Sequence, residues 1–246
     1  MVRLLRQVLA ALAVAASGSG LAHAQAQPAA EPEPLRSAGH LIYLHGIDVA
    51  QKGPDRAPEQ YREILAAFRA QGFDVTSEVR APHTPFRLYA QRVARTIERL
   101  IADGADPARI TVVGYSQGGL IALATAARRP HPAVRYVLLA GCFRPGQPHA
   151  QAHTDEFGPH LSGRILSLYD AQDGAMGECA PMFARAHLEG RSLSAEERQL
   201  DTKRGHSLFA RPHPEWVSQV ASWVREGQEP ERTDGVAIGT ARVNAL

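Results

Sequence analysis

The stretch that most constrains this chain is Val112-Val113-Gly114-Tyr115-Ser116-Gln117-Gly118-Gly119, where an apolar run meets a Gly-Xaa-Ser-Xaa-Gly pentapeptide and passes straight into an alanine-rich segment. A strand that becomes a helix within so few residues has to turn sharply. Glycines at both ends of the pentapeptide remove the Cβ atoms that would collide with strand and helix, and the turn leaves the serine side chain projecting. Ser116 is therefore the candidate nucleophile, with Gly114 and Gly118 as the residues that make its turn possible. Five residues are a short pattern, so the surrounding sequence has to supply the partners.

Strands and helices alternate on both sides of this turn. Residues 41–44 form a short apolar run ending in His45-Gly46, as expected of a strand buried on both faces. Tyr61, Ile64, Leu65 and Phe68 then recur at helical spacing, and Gln71-Gly72 ends that helix. Residues 73–79 alternate as a second strand, and Leu88, Tyr89, Val93, Ile97, Leu100 and Ile101 mark a second amphipathic helix. Residues 110–113 make a third strand running into the serine turn and a helix to about residue 128. Residues 134–140 and 165–169 read as a fourth and fifth strand, and residues 199–202 as a weaker sixth. Trp216, Val217, Val220, Trp223 and Val224 outline a closing helix. This alternation predicts an α/β fold, a mainly parallel sheet of about six strands with helices on both faces and ligands at the carboxyl ends of the strands. The domain is expected over residues 40–226, between a flexible leader at 25–39, rich in Pro, Ala and Glu, and a loose polar tail at 227–246.

The first residues follow a different logic. Arg3 and Arg6 precede an apolar run over residues 8–16, and Ala22-His23-Ala24 places small residues where a signal peptidase inspects them. Ser17-Gly18-Ser19-Gly20 interrupts the run well short of the ~20 residues that span a bilayer. Residues 1–24 are thus expected to be a signal peptide cleaved after Ala24, leaving a secreted or periplasmic protein with no stable membrane anchor. Cleavage would remove Arg3 and Arg6 and no acid, taking the formal net charge from +2 to zero. A balance of that kind does not point to a nucleic-acid partner. Cys142 and Cys179 would sit in a compartment where a disulfide can form and persist.

A serine hydroxyl is too weak an acid to attack an acyl group unaided, so it needs a histidine to take its proton and a carboxylate to fix that histidine's tautomer. Asp170 and Asp173 both follow the fifth strand. Asp173 is favoured because it lies three residues on, before Gly174, where a turn can swing it back toward the serine; Asp170 is the alternative acid, or else stabilises the turn. His206, after Gly205 in the loop before the closing helix, is the best-placed base. The order is then serine, acid, histidine. His149 and His153 have the spacing of a metal pair without a further ligand, and no metal site is expected. A developing oxyanion needs two preorganised donors, and the backbone N–H groups of Gln117 and of Ile47, after His45-Gly46, are the candidates. Arg80 reads first as half of a structural pair with Glu78, and second as a group able to orient a substrate carboxylate.

These residues resemble the α/β-hydrolase fold family: His45-Gly46 after an early strand, Gly114-Tyr115-Ser116-Gln117-Gly118 between strand and helix, Asp173 after the next-but-one strand, and Gly205-His206 near the end. The likeness covers residues 40–225 and is greatest to small carboxylesterase and thioesterase members, whose nucleophile turn often reads Gly-aromatic-Ser-Gln-Gly-Gly. It implies hydrolysis of a small-molecule ester or thioester through an acyl-serine intermediate, without a cofactor. Lipase or peptidase chemistry on the same fold, or a non-catalytic binding protein that keeps it, are the alternatives. About twenty residues separate the fourth and fifth strands, too few for a large lid domain. Those strands are neighbours in the family fold, so the resemblance also implies that Cys142 and Cys179 can approach within disulfide range.

Overall fold

Each strand near the middle of the sheet divides its side chains between two hydrophobic cores. In β1 (His40–Leu44) Leu41 and Tyr43 face one cluster while Ile42 and Leu44 face the other, the period-two split of a strand covered on both sides. The computed structural model describes residues 37–128 and 131–226. The expected signal peptide and tail, and the leader as far as residue 36, lie outside the described residues.

After β1 come a short helix α1 (Ile47–Lys52), α2 (Tyr61–Ala70), β2 (Asp74–Thr76) and α3 (Phe86–Ala102). The central strand β3 (Ile110–Tyr115) runs into α4 (Gln117–Ala126), followed by β4 (Arg135–Leu139), the two-residue β5 (Cys142–Phe143) and α5 (Ala150–Phe157). Then β6 (Gly163–Asp170), β7 (Met176–Gly177), α6 (Ala180–Leu188), β8 (Leu193–Leu200) and α7 (Pro214–Glu226) complete the described fold. Six strands form one sheet in the order β2-β1-β3-β4-β6-β8, all neighbours parallel. Side chains of α2 and α7 (Ile64, Phe68, Trp216, Val220) belong to the cluster on one face, and those of α3, α4 and α6 (Val93, Ile121, Leu123, Met182) to the cluster on the other. The strand order reverses between β1 and β3, and in an open parallel sheet such a reversal leaves a crevice at the carboxyl ends of the two strands. Only β5, α5 and a turn of 3₁₀ helix separate β4 from β6, so no large lid intervenes.

Two elements differ in position from the sequence reading. The second strand is confined to Asp74–Thr76. The sixth strand is β8, eight residues long: it begins at Leu193, well before the expected residues 199–202, and ends within them at Leu200. It pairs along all of β6 and is an edge strand, so backbone hydrogen bonds define it more than an apolar run does.

Candidate active site

The serine turn is held open by close packing of backbone. A Cβ on Gly114 would sit 2.1 Å from the carbonyl oxygen of Gly118, and one on Gly118 would sit 1.9 Å from the carbonyl oxygen of Leu44 on β1. These glycines thus let the start of α4 press against β1 and β3. Ser116 itself has φ 55° and ψ −118°, a conformation disfavoured for a residue with a Cβ and of the kind that persists where surrounding structure imposes it.

Ser116, His206 and Asp173 are brought together from the carboxyl ends of β3, β8 and β6. Ser116 Oγ lies 2.9 Å from His206 Nε2, and His206 Nδ1 lies 2.7 Å from Asp173 Oδ2. The other oxygen of Asp173 accepts hydrogen bonds from the amides of Ala175 and Met176, at 3.0 and 2.9 Å. Burial pushes the Asp173 carboxyl up, but hydrogen bonds from His206 and the Met176 amide, with the His206 charge, outweigh it and leave the group below the ordinary carboxylate value. Tyr115 lies against the imidazole, 5.2 Å between centroids, and donates its hydroxyl to the carbonyl of His206.

Asp170 is placed differently. It is fully buried and accepts from the amides of Gln172, Thr202 and Gly205 and from the Thr202 hydroxyl. It therefore ties the end of β6 to the segment leading to His206, and its hydrogen-bond partners do not include the imidazole. His149 and His153 stack on one another in a cluster with Phe143, and His153 also packs against Phe86 and Phe157.

Ile47 and Gln117 are the first residues of α1 and α4, positions whose N–H groups have no acceptor within their own helix. The loop that carries Ile47 is braced from several directions. The Gly46 amide donates to Glu59 Oε2 at 2.8 Å, and the other oxygen of Glu59 accepts the Tyr43 hydroxyl at 2.8 Å. The Arg80 amide donates to His45 Nε2 at 3.0 Å, which assigns the proton to Nδ1, where it is donated to the Gly46 carbonyl at 2.7 Å. Burial, reinforced by the Arg80 charge, pulls His45 down to about 4, so it is neutral at ordinary pH. Burial pushes Glu59 up to about 7 against the hydrogen bonds of Tyr43 and Gly46.

The expected pair of Glu78 with Arg80 does not form. Glu78 accepts from the Tyr89 hydroxyl and from Arg92, whereas Arg80 turns inward to the carbonyls of His45 and Gly46. Adjacent ionic residues in sequence imply no contact, since side chains two apart in an extended segment share a face only if the chain stays extended.

On the acid side, β5 and β7 pair antiparallel, and Cys142 and Cys179 are joined by a disulfide. Arg144 donates to the carbonyls of Ala171 and Asp173, and Gln147 to that of Gly174. Glu59 and Arg144 were not singled out in the sequence: both act on backbone atoms far along the chain, which no local pattern announces.

Residues 41–236 match the model of the alpha/beta hydrolase family. Among curated proteins, LipR of Mycobacterium tuberculosis (strain ATCC 25618 / H37Rv), which carries an acetyl-hydrolase name, is 34% identical over 96 residues, a match spanning 39% of this chain and 31% of that relative. SOBER1 of Arabidopsis thaliana superposes with a TM-score of 0.51 at 18% identity, over 78% of this chain and 99% of that one. A double mutant of the esterase E40 gives 0.55 at 19%, over 78% and 77%. At such identities these structural likenesses are likenesses of fold.

Proposed function

Because the chain belongs to the alpha/beta hydrolase family, we propose that it is an exported serine hydrolase that cleaves a carboxylic ester, or a thioester, through an acyl-serine intermediate. The observation that carries this reading is the unbroken hydrogen-bonded line from Ser116 through His206 to Asp173. The acetyl-hydrolase name of a relative supports ester chemistry.

His206 Nε2 takes the Ser116 proton as Oγ bonds to the acyl carbon, and the carbonyl electron pair moves onto oxygen, where the amides of Ile47 and Gln117 receive it. Asp173 holds Nδ1–H and stabilises the imidazolium. Collapse of the tetrahedral species breaks the bond to the leaving alcohol or thiol, which departs with the proton from His206. Water, deprotonated by His206, then attacks the acyl-serine and releases the acid, returning the proton to Ser116. Arg144 and the two-stranded pairing of β5 with β7 keep the acid loop in register with His206.

Labelling with a fluorophosphonate and assays on short-chain nitrophenyl esters and thioesters test the reading. Wild-type protein is expected to take the label and turn over at least one class, and Ser116→Ala to lose both. Asp173→Asn should lower kcat on the order of 10⁴-fold by presenting the wrong tautomer. Asp170→Asn should lower stability more than kcat. A folded wild type that takes no label and hydrolyses neither class would overturn the proposal.

The signal-peptide pattern of residues 1–24 carries the exported part of this reading. The Cys142–Cys179 bond supports it, because disulfides persist in oxidising compartments.

A further inference from the structure

Arg80 is 3% exposed, and its Nη2 donates to the carbonyls of His45 and Gly46 and to Gln117 Oε1, at 2.5, 3.2 and 3.2 Å. Its Nη1 is buried and has no hydrogen-bond partner. Among the described residues Arg80 forms no ion pair. Glu59, an acid whose field reaches it, is already engaged by Tyr43 and Gly46. The face of the Tyr89 ring, 5.5 Å from the guanidinium carbon, offsets part of the cost of drying the cation, but a guanidinium removed from water without an anion is still costly, and a buried donor without a hydrogen-bond acceptor is uncommon.

The surroundings of Arg80 supply an explanation. With Ile47, Ala50, Gln51, His83 and Gln117 it lines a cavity of about 310 Å³, at the small end of ligand pockets. No carboxylate lines this cavity, and its walls include both residues whose amides face the proposed oxyanion. Neither Ser116 nor His206 lines it, so it lies beside the proposed oxyanion position, on the side of Ile47 and Gln117. We infer that this cavity receives an acyl group bearing its own negative charge, a terminal carboxylate on a short chain, with Arg80 as its counter-ion. The substrate class is then the monoester of a small dicarboxylic acid. This rests on the esterase reading above.

The physical logic is one of preorganisation. The cost of drying the guanidinium is already contained in the folded protein, so only the ligand's carboxylate has to shed water on binding. The pair then forms away from solvent, where a charge-assisted hydrogen bond is stronger than at the surface. A neutral acyl chain of equal length would fill the same volume and leave the Arg80 guanidinium without an anion.

The test compares mono-4-nitrophenyl adipate with 4-nitrophenyl hexanoate, which share leaving group and chain length and differ in a terminal carboxylate against a methyl. Wild-type kcat/KM is expected to favour the adipate ester by at least tenfold. Arg80→Gln should bring the ratio to one or below, mainly through the KM of the adipate ester. Gln51→Glu, which leaves the contacts of Arg80 in place and adds a like charge to the wall, should lower the ratio at least threefold. A wild type that hydrolyses both esters equally, or prefers hexanoate, overturns the inference while leaving the esterase reading intact. So does an Arg80→Gln protein that loses the same factor on both, which is what a brace for the His45-Gly46 loop would do. Absence of turnover on both esters together with absence of fluorophosphonate labelling removes the esterase reading and this inference with it.

Discussion

Glu59 and His45 grip opposite ends of one residue, Gly46, the first through its amide and the second through its carbonyl, and burial moves their protonation in opposite senses for stability. Glu59 is raised to about 7 from an ordinary 4.5, so between those values the folded protein holds a proton that the unfolded chain has released. Stability contributed by this group therefore falls as pH rises from about 4.5 to about 7 and is level above. His45 is lowered from 6.5 to about 4, so there the unfolded chain is the one that holds the proton and stability rises with pH across that window. The two slopes oppose each other where they overlap. Glu59→Gln removes only the first, so its stability relative to wild type should climb by on the order of 3 kcal/mol between pH 4.5 and 7 in urea denaturation. A variant that tracks wild type at every pH would show that this carboxyl is not shifted.

Among the elements, the smallest ones organise the acid loop. β5 and β7 contribute two residues each, and the bond between Cys142 and Cys179 closes a loop with a sequence separation of 37. Loop closure of that length constrains the unfolded chain by about 4 kcal/mol. Replacing both cysteines by alanine should lower unfolding stability by roughly that amount. Ester turnover at 25 °C should stay within about tenfold, because Arg144 still holds the carbonyl of Asp173; a loss of turnover as large as that of Asp173→Asn would show that the disulfide itself positions the acid. Elements this short leave no periodicity to read. α1, at six residues, is bounded by Gly46 and by Gly53 with φ 82°, and those glycines read as loop. β8 hides for another reason: Glu197 is half-buried there and accepts from the amides of Cys179 and Ala180 at the start of α6. A helix N-terminus favours a carboxylate, and that acid interrupts the apolar pattern expected of a strand.

For the molecule as a whole, the parallel sheet sets every candidate group on one edge. Ile47, Ser116, Asp173 and His206 follow β1, β3, β6 and β8, four parallel strands whose carboxyl ends coincide. No helix among the described residues is long and apolar enough to cross a membrane. The proposed export makes its own prediction at this scale: N-terminal sequencing of protein recovered outside the cytoplasm should begin at Gln25, with formal charge reduced to zero by loss of Arg3 and Arg6. Recovery of a chain beginning at Met1 would refute it.

The alternation of apolar runs, the serine turn, Asp173 before Gly174 and His206 after Gly205 were legible in the chain because each depends on residues adjacent in sequence. Steric limits at a tight turn and the period of a strand or helix are local, and local patterns suffice to express them. What Arg80, Glu59, Arg144 and Asp170 touch was decided only by the tertiary structure. Their partners are backbone amides and carbonyls brought near by strand order: His45 and Gly46 for Arg80, Gly46 for Glu59, Asp173 for Arg144, Thr202 and Gly205 for Asp170. Every residue carries such groups, so composition cannot select which pair will meet. Only the packing that removes water from both makes the contact necessary.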